Sequence, residues 1–178
     1  SRGLGDVYKR QTQAIAAYKG DELAGVLLCE MKGEAKKDHS IWKSAYVKIF
    51  DFLQNLFVKN GVAPYDEANR GMLVEYCKHN SPDGEIIFLA ANPNIKAKGI
   101  GSMLLRELEE REKGKKVFLY TDSACTYQFY EHRGFELAQE KDITLKIGNK
   151  EVALRCLLYS KVLGLSLIHI SEPTRLQL

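Results

Sequence analysis

The sequence predicts an α/β fold with a mixed sheet, and three observations carry this prediction. Residues 85–91 and residues 117–121 are two apolar runs of the length of buried strands. Between them, Ile100, Leu104 and Leu108 recur at helical spacing, with charged residues on the opposite side. Strands that alternate with a helix in this way are typical of the α/β class.

The two ends of the chain are expected to be foreign to this domain. Residues 1–11 can be back-translated with permitted codons into a DNA string whose reverse complement encodes residues 165–175 in order. An inverted repeat of eleven codons is typical of a sequencing adapter that was translated by mistake. We therefore expect residues 1–11 and 165–178 to be non-native and a single domain to span residues 12–164.

Without these ends the chain is nearly neutral. The net charge of the whole chain is +3, but residues 12–164 carry 22 basic and 21 acidic side chains, which argues against nucleic-acid binding. No segment reaches the roughly 18 apolar residues of a membrane span. The cysteines are scattered with no C-x-x-C pair, which fits a reduced cytoplasmic protein better than a disulfide framework or a zinc site.

The elements before the first buried strand are predicted to be a hairpin and a helical insert. Residues 14–19 and 23–31 form two strands across a short glycine-containing turn. The insert covers about residues 40–80, with a strongly amphipathic helix at residues 41–57 and a weaker helix at about residues 67–78. Its aromatic side chains are expected to belong to the core, and the alternative is that they wall a substrate pocket. After the second buried strand, two closing strands complete the sheet.

The loop between the first buried strand and its helix has the features of a phosphate cradle. It contains Gly99 and Gly101 and runs into a helix N-terminus, where backbone N–H groups and the helix dipole attract anions. The Gly-Lys-Ser/Thr of a Walker loop is missing, and so is the third glycine of a dinucleotide fingerprint. The alternative is a plain strand-to-helix turn with glycine at the bend.

Two segments carry a resemblance to one family. Residues 96–101, Lys-x-x-Gly-x-Gly, resemble the Gln/Arg-x-x-Gly-x-Gly/Ala signature of the GNAT superfamily of acyl-CoA N-acyltransferases, with lysine at the first position. Residues 123–135 resemble the family pattern Asn-x-x-Ala-x-x-Phe/Leu-Tyr-Glu-x-x-Gly-Phe, although Ser123 and Thr126 depart from it. The matching residues of this segment are Phe129, Tyr130, Glu131, Gly134 and Phe135. Two motifs in the right order are more specific than either alone.

The resemblance implies a GNAT-like N-acetyltransferase with acetyl-CoA as co-substrate and an amine-bearing small molecule or peptide as acceptor. Because such domains normally begin with a strand and one or two helices before the hairpin, those elements are expected to be missing. A homodimer is left open, and neither nucleic acid nor membrane is expected as a partner. The cofactor-binding residues would be Leu89, Ala90, Ala91, Lys96, Ala97, Lys98, Gly99, Ile100, Gly101, Ser102, Ser123 and Tyr130.

Acetyl transfer to an amine needs a base, an oxyanion donor and an acid. An alkyl amine has a pKa of about 10, so a base or a water relay must remove its proton. Glu85, at the head of the first buried strand, is the candidate base, and a solvated strand-end carboxylate is the alternative. The resemblance implies a backbone N–H of residues 89–91 as the oxyanion donor. Tyr130 is the candidate acid for the departing thiolate, with a packed aromatic as the alternative.

No covalent acyl-enzyme is implied, so we expect direct transfer in a ternary complex. Cys125 could serve as a nucleophile, but the sequence shows no partner that would activate it. His132 is expected to face solvent, since it lies two positions from Tyr130 on a helix. The alternative to an enzyme is a non-catalytic CoA-binding or regulatory module, or an inactive fragment of the same fold.

Overall fold

A computed structural model of the chain describes residues 10–32 and 63–165. In these ranges a sheet of six strands carries three helices. The strands are β1 (Arg10–Lys19), β2 (Glu22–Lys32), β3 (Gly84–Ala91), β4 (Lys116–Asp122), β5 (Glu136–Ile147) and β6 (Lys150–Val162). The helices are α1 (Ala63–Cys77), α2 (Ile100–Arg111) and α3 (Gln128–Glu131). The helix predicted at residues 41–57 lies outside the described residues.

The sheet is mixed, as predicted. Its strand order is β1-β2-β3-β4-β6-β5, with β3 and β4 parallel and every other neighbouring pair antiparallel. The predicted hairpin is β1–β2, the closing strands are β5 and β6, and α2 connects the two parallel strands. β1 already begins at Arg10, before the expected junction at residue 12, and the domain limits stay a prediction.

Side chains that alternate along β4 divide the core between the two faces of the sheet. Leu119 belongs to the cluster that contains Leu104 of α2. Its neighbour Phe118 belongs to a second cluster, with Met72 and Tyr76 of α1. Because successive side chains of a strand point to opposite faces, α1 and α2 cover opposite sides of the sheet.

β3 contains a bulge at Ile87. Cys29 of β2 pairs with Ile86, whereas the preceding residue Leu28 pairs with Phe88, so that Ile87 is an extra residue in β3. A bulge of this kind bends its strand and increases the local twist. The part of β3 that follows the bulge therefore runs in a different direction from the part before it.

The two parallel strands pair only before this bulge. Gly84 lies beside Val117 and Glu85 beside Phe118, and these are the two register pairs between β3 and β4. Beyond them the strands separate, although both continue, β3 to Ala91 and β4 to Asp122. The sheet is therefore open between the carboxyl ends of its two parallel strands, which is a common location for ligands in α/β proteins.

The helix α2 closes one face of this open end. Its buried side chains recur at three and four residues, as predicted, and they are Ile100, Leu104, Leu105 and Leu108. Gly25 of β2 allows the close approach, because a Cβ at this position would lie 2.6 Å from Cγ2 of Ile100. At the start of the helix, Gly99 has φ +81°, in the left-handed region that favours glycine.

Candidate active site

The open end of the sheet borders a cavity of about 710 Å³ that is lined by described residues from both faces. Gly101 of α2 and Phe129 and Tyr130 of α3 line it from one face. Tyr65 of α1 and Tyr120 of β4 line it from the other. Both faces of the sheet therefore contribute described residues to the wall of this gap.

The β3 wall of the gap offers backbone N–H groups. The N–H of Asn92 donates to the carbonyl of Ala24 in β2 at 2.7 Å and so points away from the gap. Because successive N–H groups of a strand alternate in direction, the N–H of Ala90 also points to β2, while those of Ala91 and Leu89 point into the gap. Of the three predicted residues in β3, two can donate to a ligand there.

The loop between β3 and α2 is anchored at its first residue. Asn92 Nδ2 donates to the carbonyl of Leu23 at 3.1 Å, and its Oδ1 accepts from the N–H of Asn94 at 2.9 Å. Ile95 is buried, and its carbonyl accepts from the N–H of Ala97 at 2.9 Å. The loop backbone is thus fixed by an Asn-centred turn and an apolar contact. The exposed residues that follow are Lys96, Ala97, Lys98 and Gly99.

The first turn of α2 presents its positive end to the gap. Its first intrahelical hydrogen bond runs from the N–H of Met103 to the carbonyl of Gly99 at 3.0 Å, so the preceding N–H groups need other acceptors. In the described ranges no side chain caps this turn, and the turn contains no acidic residue. Gly101 lines the gap, so these N–H groups and the helix dipole face it. This donor set fits a phosphate or pyrophosphate group.

The short helix α3 packs directly against this turn. A Cβ on Gly101 would lie 2.9 Å from Cζ of Phe129, which is closer than side chains tolerate. The rings of Phe129 and Tyr130 meet edge to face with centroids 5.3 Å apart, and those of Tyr130 and Phe135 with centroids 5.7 Å apart. This aromatic row holds Tyr130 at the edge of the gap. The close packing of Phe129 is therefore a reason for glycine at position 101.

Burial in the gap changes the acidity of its side chains. It raises the pKa of Tyr130, with a smaller contribution from Cys125, so the phenol stays protonated at neutral pH. It also raises the pKa of the Cys125 thiol, with Asp122 as the second cause. Cys125 therefore stays a thiol, which supports the prediction that it is no nucleophile. A thiolate released in the same cavity would likewise take up a proton more readily than in water.

Glu85 lies at the closed end of the gap. It pairs with Phe118, where β3 and β4 are still joined, and it is not among the residues that line the cavity. Its carboxylate still acts on the cavity, because it is the second cause, after burial, that raises the pKa of Tyr120. Tyr120 lines the gap and thereby connects Glu85 to it. The role of Glu85 as a base stays a prediction.

Ser123 is not brought together with the other predicted cofactor residues. Its Oγ accepts from the N–H of Arg155 at 3.1 Å, and its own N–H donates to the carbonyl of Arg155 at 2.9 Å. It lines a different cavity, of about 760 Å³, over β5 and β6. Its hydroxyl is already used to join the end of β4 to β6, and its cofactor role stays a prediction.

Sequence reasoning missed the side chain that ends β4. Asp122 Oδ1 accepts from the N–H groups of Ala124 and Cys125 at 2.9 Å and 3.1 Å, and Oδ2 accepts from the hydroxyl of Tyr65 at 3.3 Å. An aspartate that turns the chain after a strand is a local signal that the sequence does contain. The contact with Tyr65 has no such signal, because it joins residues 57 positions apart.

Arg133 was also missed. Its Nε donates to Ser102 Oγ at 2.8 Å, and its guanidinium carbon lies 4.4 Å from the ring centroid of Phe129. The hydrogen bond joins residues 31 positions apart, and the GNAT pattern leaves position 133 unspecified. Arg133 thus connects α3 to the first turn of α2.

Two findings limit the kinds of site that the described residues form. No helix among them is long and apolar enough to cross a membrane. Within the same part of the chain, no group of three or more His, Cys, Asp or Glu side chains could hold a metal ion. All four cysteines are free, and Cys29 and Cys156 are buried.

Comparison with known proteins bears on the family and the fold of this chain. Residues 5–135 match the Acetyltransferase (GNAT) family. An agmatine N-acetyltransferase mutant in its apo form has a similar structure, with a TM-score of 0.52, 10% identity, and coverage of 83% of this chain and 74% of that one. An acetyltransferase from Bacillus cereus ATCC 14579 has a TM-score of 0.47 and 15% identity, over 90% of this chain and 81% of that one.

A third solved structure, Naa50 of Arabidopsis thaliana in complex with the bisubstrate analogue CoA-Ac-MVNAL, has a TM-score of 0.44 and 17% identity, over 83% of this chain and 71% of that one. A search of curated proteins found no match at the significance required. The family match covers most of the chain and includes both sequence motifs. The chain belongs to the GNAT acetyltransferase family and is an acyltransferase that takes its acetyl group from acetyl-CoA.

Proposed function

We propose that this acetyltransferase acetylates a primary amine of a small molecule or a peptide by direct attack in a ternary complex. The observation that supports this most is the gap between β3 and β4, which is lined by Gly101 and Tyr130 from one face and by Tyr65 from the other. Acetyl-CoA supplies the activated thioester when it is bound. An acceptor that enters from the α1 face would reach that thioester without a covalent acyl-enzyme.

The first turn of α2 is proposed to hold the pyrophosphate. The N–H groups of residues 99–102 would donate to it, and Lys96 and Lys98 would add mobile positive charge, since both are exposed. The uncapped turn and its lack of acidic residues, in the part of the chain that is described, support this assignment. Ala97 and Ile100 shape the loop on either side, and Ala90 contributes to the β3 wall.

Three groups are proposed to handle charge at the reacting carbonyl. The N–H groups of Leu89 and Ala91 donate to the carbonyl oxygen, on which negative charge develops while the amine nitrogen bonds to the carbonyl carbon. Tyr130 donates its proton to the thiolate that leaves when the C–S bond breaks, and regains a proton from solvent. The raised pKa of Tyr130 supports this role, because the phenol is in its acid form across the neutral range.

Glu85 is proposed as the base. A protonated amine must lose one proton before attack and a second proton afterwards, and the attacked carbonyl cannot take either. Glu85 would receive a proton through water or through the hydroxyl of Tyr120, which its carboxylate already influences. A relay is required because Glu85 lies at the paired end of the strands and not in the cavity lining.

The test is turnover of acetyl-CoA by the full chain with four classes of amine: polyamines, aminoglycosides, amino acids and peptide N-termini. The acetylated amine is measured by mass spectrometry, because the exposed thiols of Cys77 and Cys125 would react with reagents that detect free CoA. Direct transfer predicts intersecting double-reciprocal plots and no CoA release without amine. Parallel plots together with an acetylated form of the protein would contradict it.

A further inference from the structure

The guanidinium of Arg133 is held in one position beside the first turn of α2. Its Nε and Nη2 both donate to Ser102 Oγ, the first at 2.8 Å, and its carbon lies 4.4 Å from the ring centroid of Phe129. The backbone is held as well, since the N–H donates to the carbonyl of Tyr130 at 3.0 Å and the carbonyl accepts from Lys161 Nζ at 2.6 Å. Both the side chain and the backbone of Arg133 are therefore held by hydrogen bonds.

This arrangement uses only one edge of the guanidinium. A guanidinium has five N–H donors in a planar fork, and Ser102 takes the edge formed by Nε and Nη2. The other edge, formed by Nη1 and the outer N–H of Nη2, can still form a bidentate contact. Among the described residues, none places a carboxylate within ion-pair distance of Arg133. A half-buried cation with no anion beside it is electrostatically costly.

The contact with Ser102 places the guanidinium beside the first turn of α2, outside the set of residues that line the cavity. Ser102 is the third residue of α2, and the first turn of α2 directs its N–H groups toward the gap. Arg133 therefore adds a full positive charge beside the partial positive charge of the helix end. Lys96 and Lys98 lie in the same region but are exposed, so they lose conformational freedom when they bind an anion.

We propose that Arg133 binds the pyrophosphate of acetyl-CoA through this second edge, and that Ser102 and Phe129 are the positioning residues that hold its guanidinium. The inference rests on the proposed location of the pyrophosphate at the first turn of α2. A planar fork suits two phosphate oxygens, whereas a lysine ammonium in the same place would act as a point charge.

Calorimetric titration of the full chain with CoA and dephospho-CoA tests this, because both ligands contain the pyrophosphate and only CoA has the 3′-phosphate. Arg133→Gln is expected to weaken both by the same factor, about 10-fold to 100-fold. S-acetylpantetheine contains no phosphate group, so its kcat/KM is expected to change by less than about twofold in Arg133→Gln. Arg106→Gln is the matched control, since Arg106 is exposed on α2 and its loss removes the same charge.

Two further variants keep the test informative if Arg133→Gln does not fold. Arg133→Lys keeps the charge and loses the fork, and it is expected to weaken CoA about 5-fold to 20-fold. Ser102→Ala frees the guanidinium from its anchor and is expected to weaken CoA about 3-fold to 10-fold. Thermal unfolding without ligand shows that each variant is folded before its affinity is compared.

The outcomes separate this inference from the proposed function. If Arg133→Gln lowers kcat/KM for S-acetylpantetheine as much as it weakens CoA, the residue only docks α3 onto α2, and the inference is wrong. The inference is also wrong if Arg133→Gln weakens the binding of dephospho-CoA much less than that of CoA, because Arg133 would then bind the 3′-phosphate. If the unmodified chain binds CoA no better than pantetheine, the pyrophosphate site itself fails, whatever Arg133 does.

Discussion

The two faces of the sheet contribute to the gap by different means. On the α2 face the proposed phosphate-binding part of the site consists of backbone, namely the uncapped turn of α2 and the bare Cα of Gly101, with the side chains of Phe129 and Tyr130 beside it. On the α1 face it consists of side chains, among them Tyr65 and Tyr120. A site that binds its ligand through backbone N–H groups tolerates changes of neighbouring side chains but not an added Cβ. A site that binds through side chains can be changed by single substitutions. The α2 face suits a constant acyl donor, and the α1 face suits a variable acceptor.

The largest expected effect comes from an added side chain at Gly101. In Gly101→Val, the new Cβ would lie 2.9 Å from the Phe129 ring before the γ-methyl groups are counted, so α3 must move away from α2. Phe129 is packed against Tyr130, so the move also displaces the proposed acid. We expect kcat/KM for acetyl-CoA to fall by about 10³-fold with every acceptor, because a displacement of about 1 Å alone can cost about 10²-fold. Steady-state kinetics with two unrelated amines measures this.

Gly71→Ala is the matched glycine control. Gly71 lies in α1, where an added Cβ would meet only Lys141 Nζ, at 3.8 Å. Alanine in a helix interior is expected to raise stability by about 0.5–1 kcal/mol and to leave kcat/KM unchanged. Should Gly101→Val keep more than a tenth of the activity, the backbone of the α2 face is less demanding than its packing indicates.

Tyr130→Phe should affect the chemical step and little else. Its ring packing survives the change, so the melting temperature and the CoA affinity are expected to stay close to those of the unmodified chain. The kcat should fall by about 10²-fold, because the leaving thiolate loses its proton donor. Rapid-quench and steady-state measurements at pH 7 give this number.

The dependence of kcat on pH is a second test of Tyr130 as the acid. Because burial raises the pKa of Tyr130 above the ordinary value of about 10, the phenol stays protonated at lower pH, and its ionisation removes activity only above pH 10. Between pH 6 and pH 9 the rate should rise with pH as the amine deprotonates. A fall in kcat centred between pH 7 and pH 9 that Tyr130→Phe abolishes would contradict the raised pKa.

On the α1 face, Glu85→Gln is expected to lower kcat by about 10-fold, less than a base in direct contact would, because a relay separates it from the gap. Tyr120→Phe should have a similar effect if its hydroxyl is part of that relay, and the double variant should then be no worse than either single one. Additive losses in this double-mutant cycle would show that the two residues act independently. The cycle thus decides whether this face holds one proton path or two unrelated groups.

The features of the site also differ in whether they can be predicted from the sequence. The strands, the helix α2 and the Gly99–Gly101 turn are encoded locally, by periodicity and by glycine, and their prediction is confirmed. The bulge at Ile87 depends on a change of register against Leu28 and Cys29, which no local pattern reveals. The separation of β3 from β4 follows from that bulge, so it could not be predicted from the sequence either.

Side-chain contacts between residues far apart in the sequence could not be predicted either. Ser123 stands where the family pattern has Asn, and the pairing of β4 with β6 gives its hydroxyl a backbone partner in Arg155. Arg133 stands at an unspecified motif position, yet it contacts Ser102 in the first turn of α2. The strand order determines the partner of Ser123, and the packing of α3 determines that of Arg133. Neither the strand order nor this packing can be derived from the spacing of residues along the chain.

The smallest expected effect is that of Cys125, which lies in the gap without a part in the proposed chemistry. Burial and the Asp122 carboxylate raise its pKa, so at pH 8 its thiolate fraction is below that of an ordinary cysteine. In a Cys77→Ser background, iodoacetamide should therefore label Cys125 more slowly than a free thiol, and faster as the pH is raised toward 10. Cys125→Ser should change kcat by less than about threefold. Rapid labelling at pH 7, or an acetylated Cys125 trapped without amine, would instead make this residue a nucleophile and the reaction a two-step transfer.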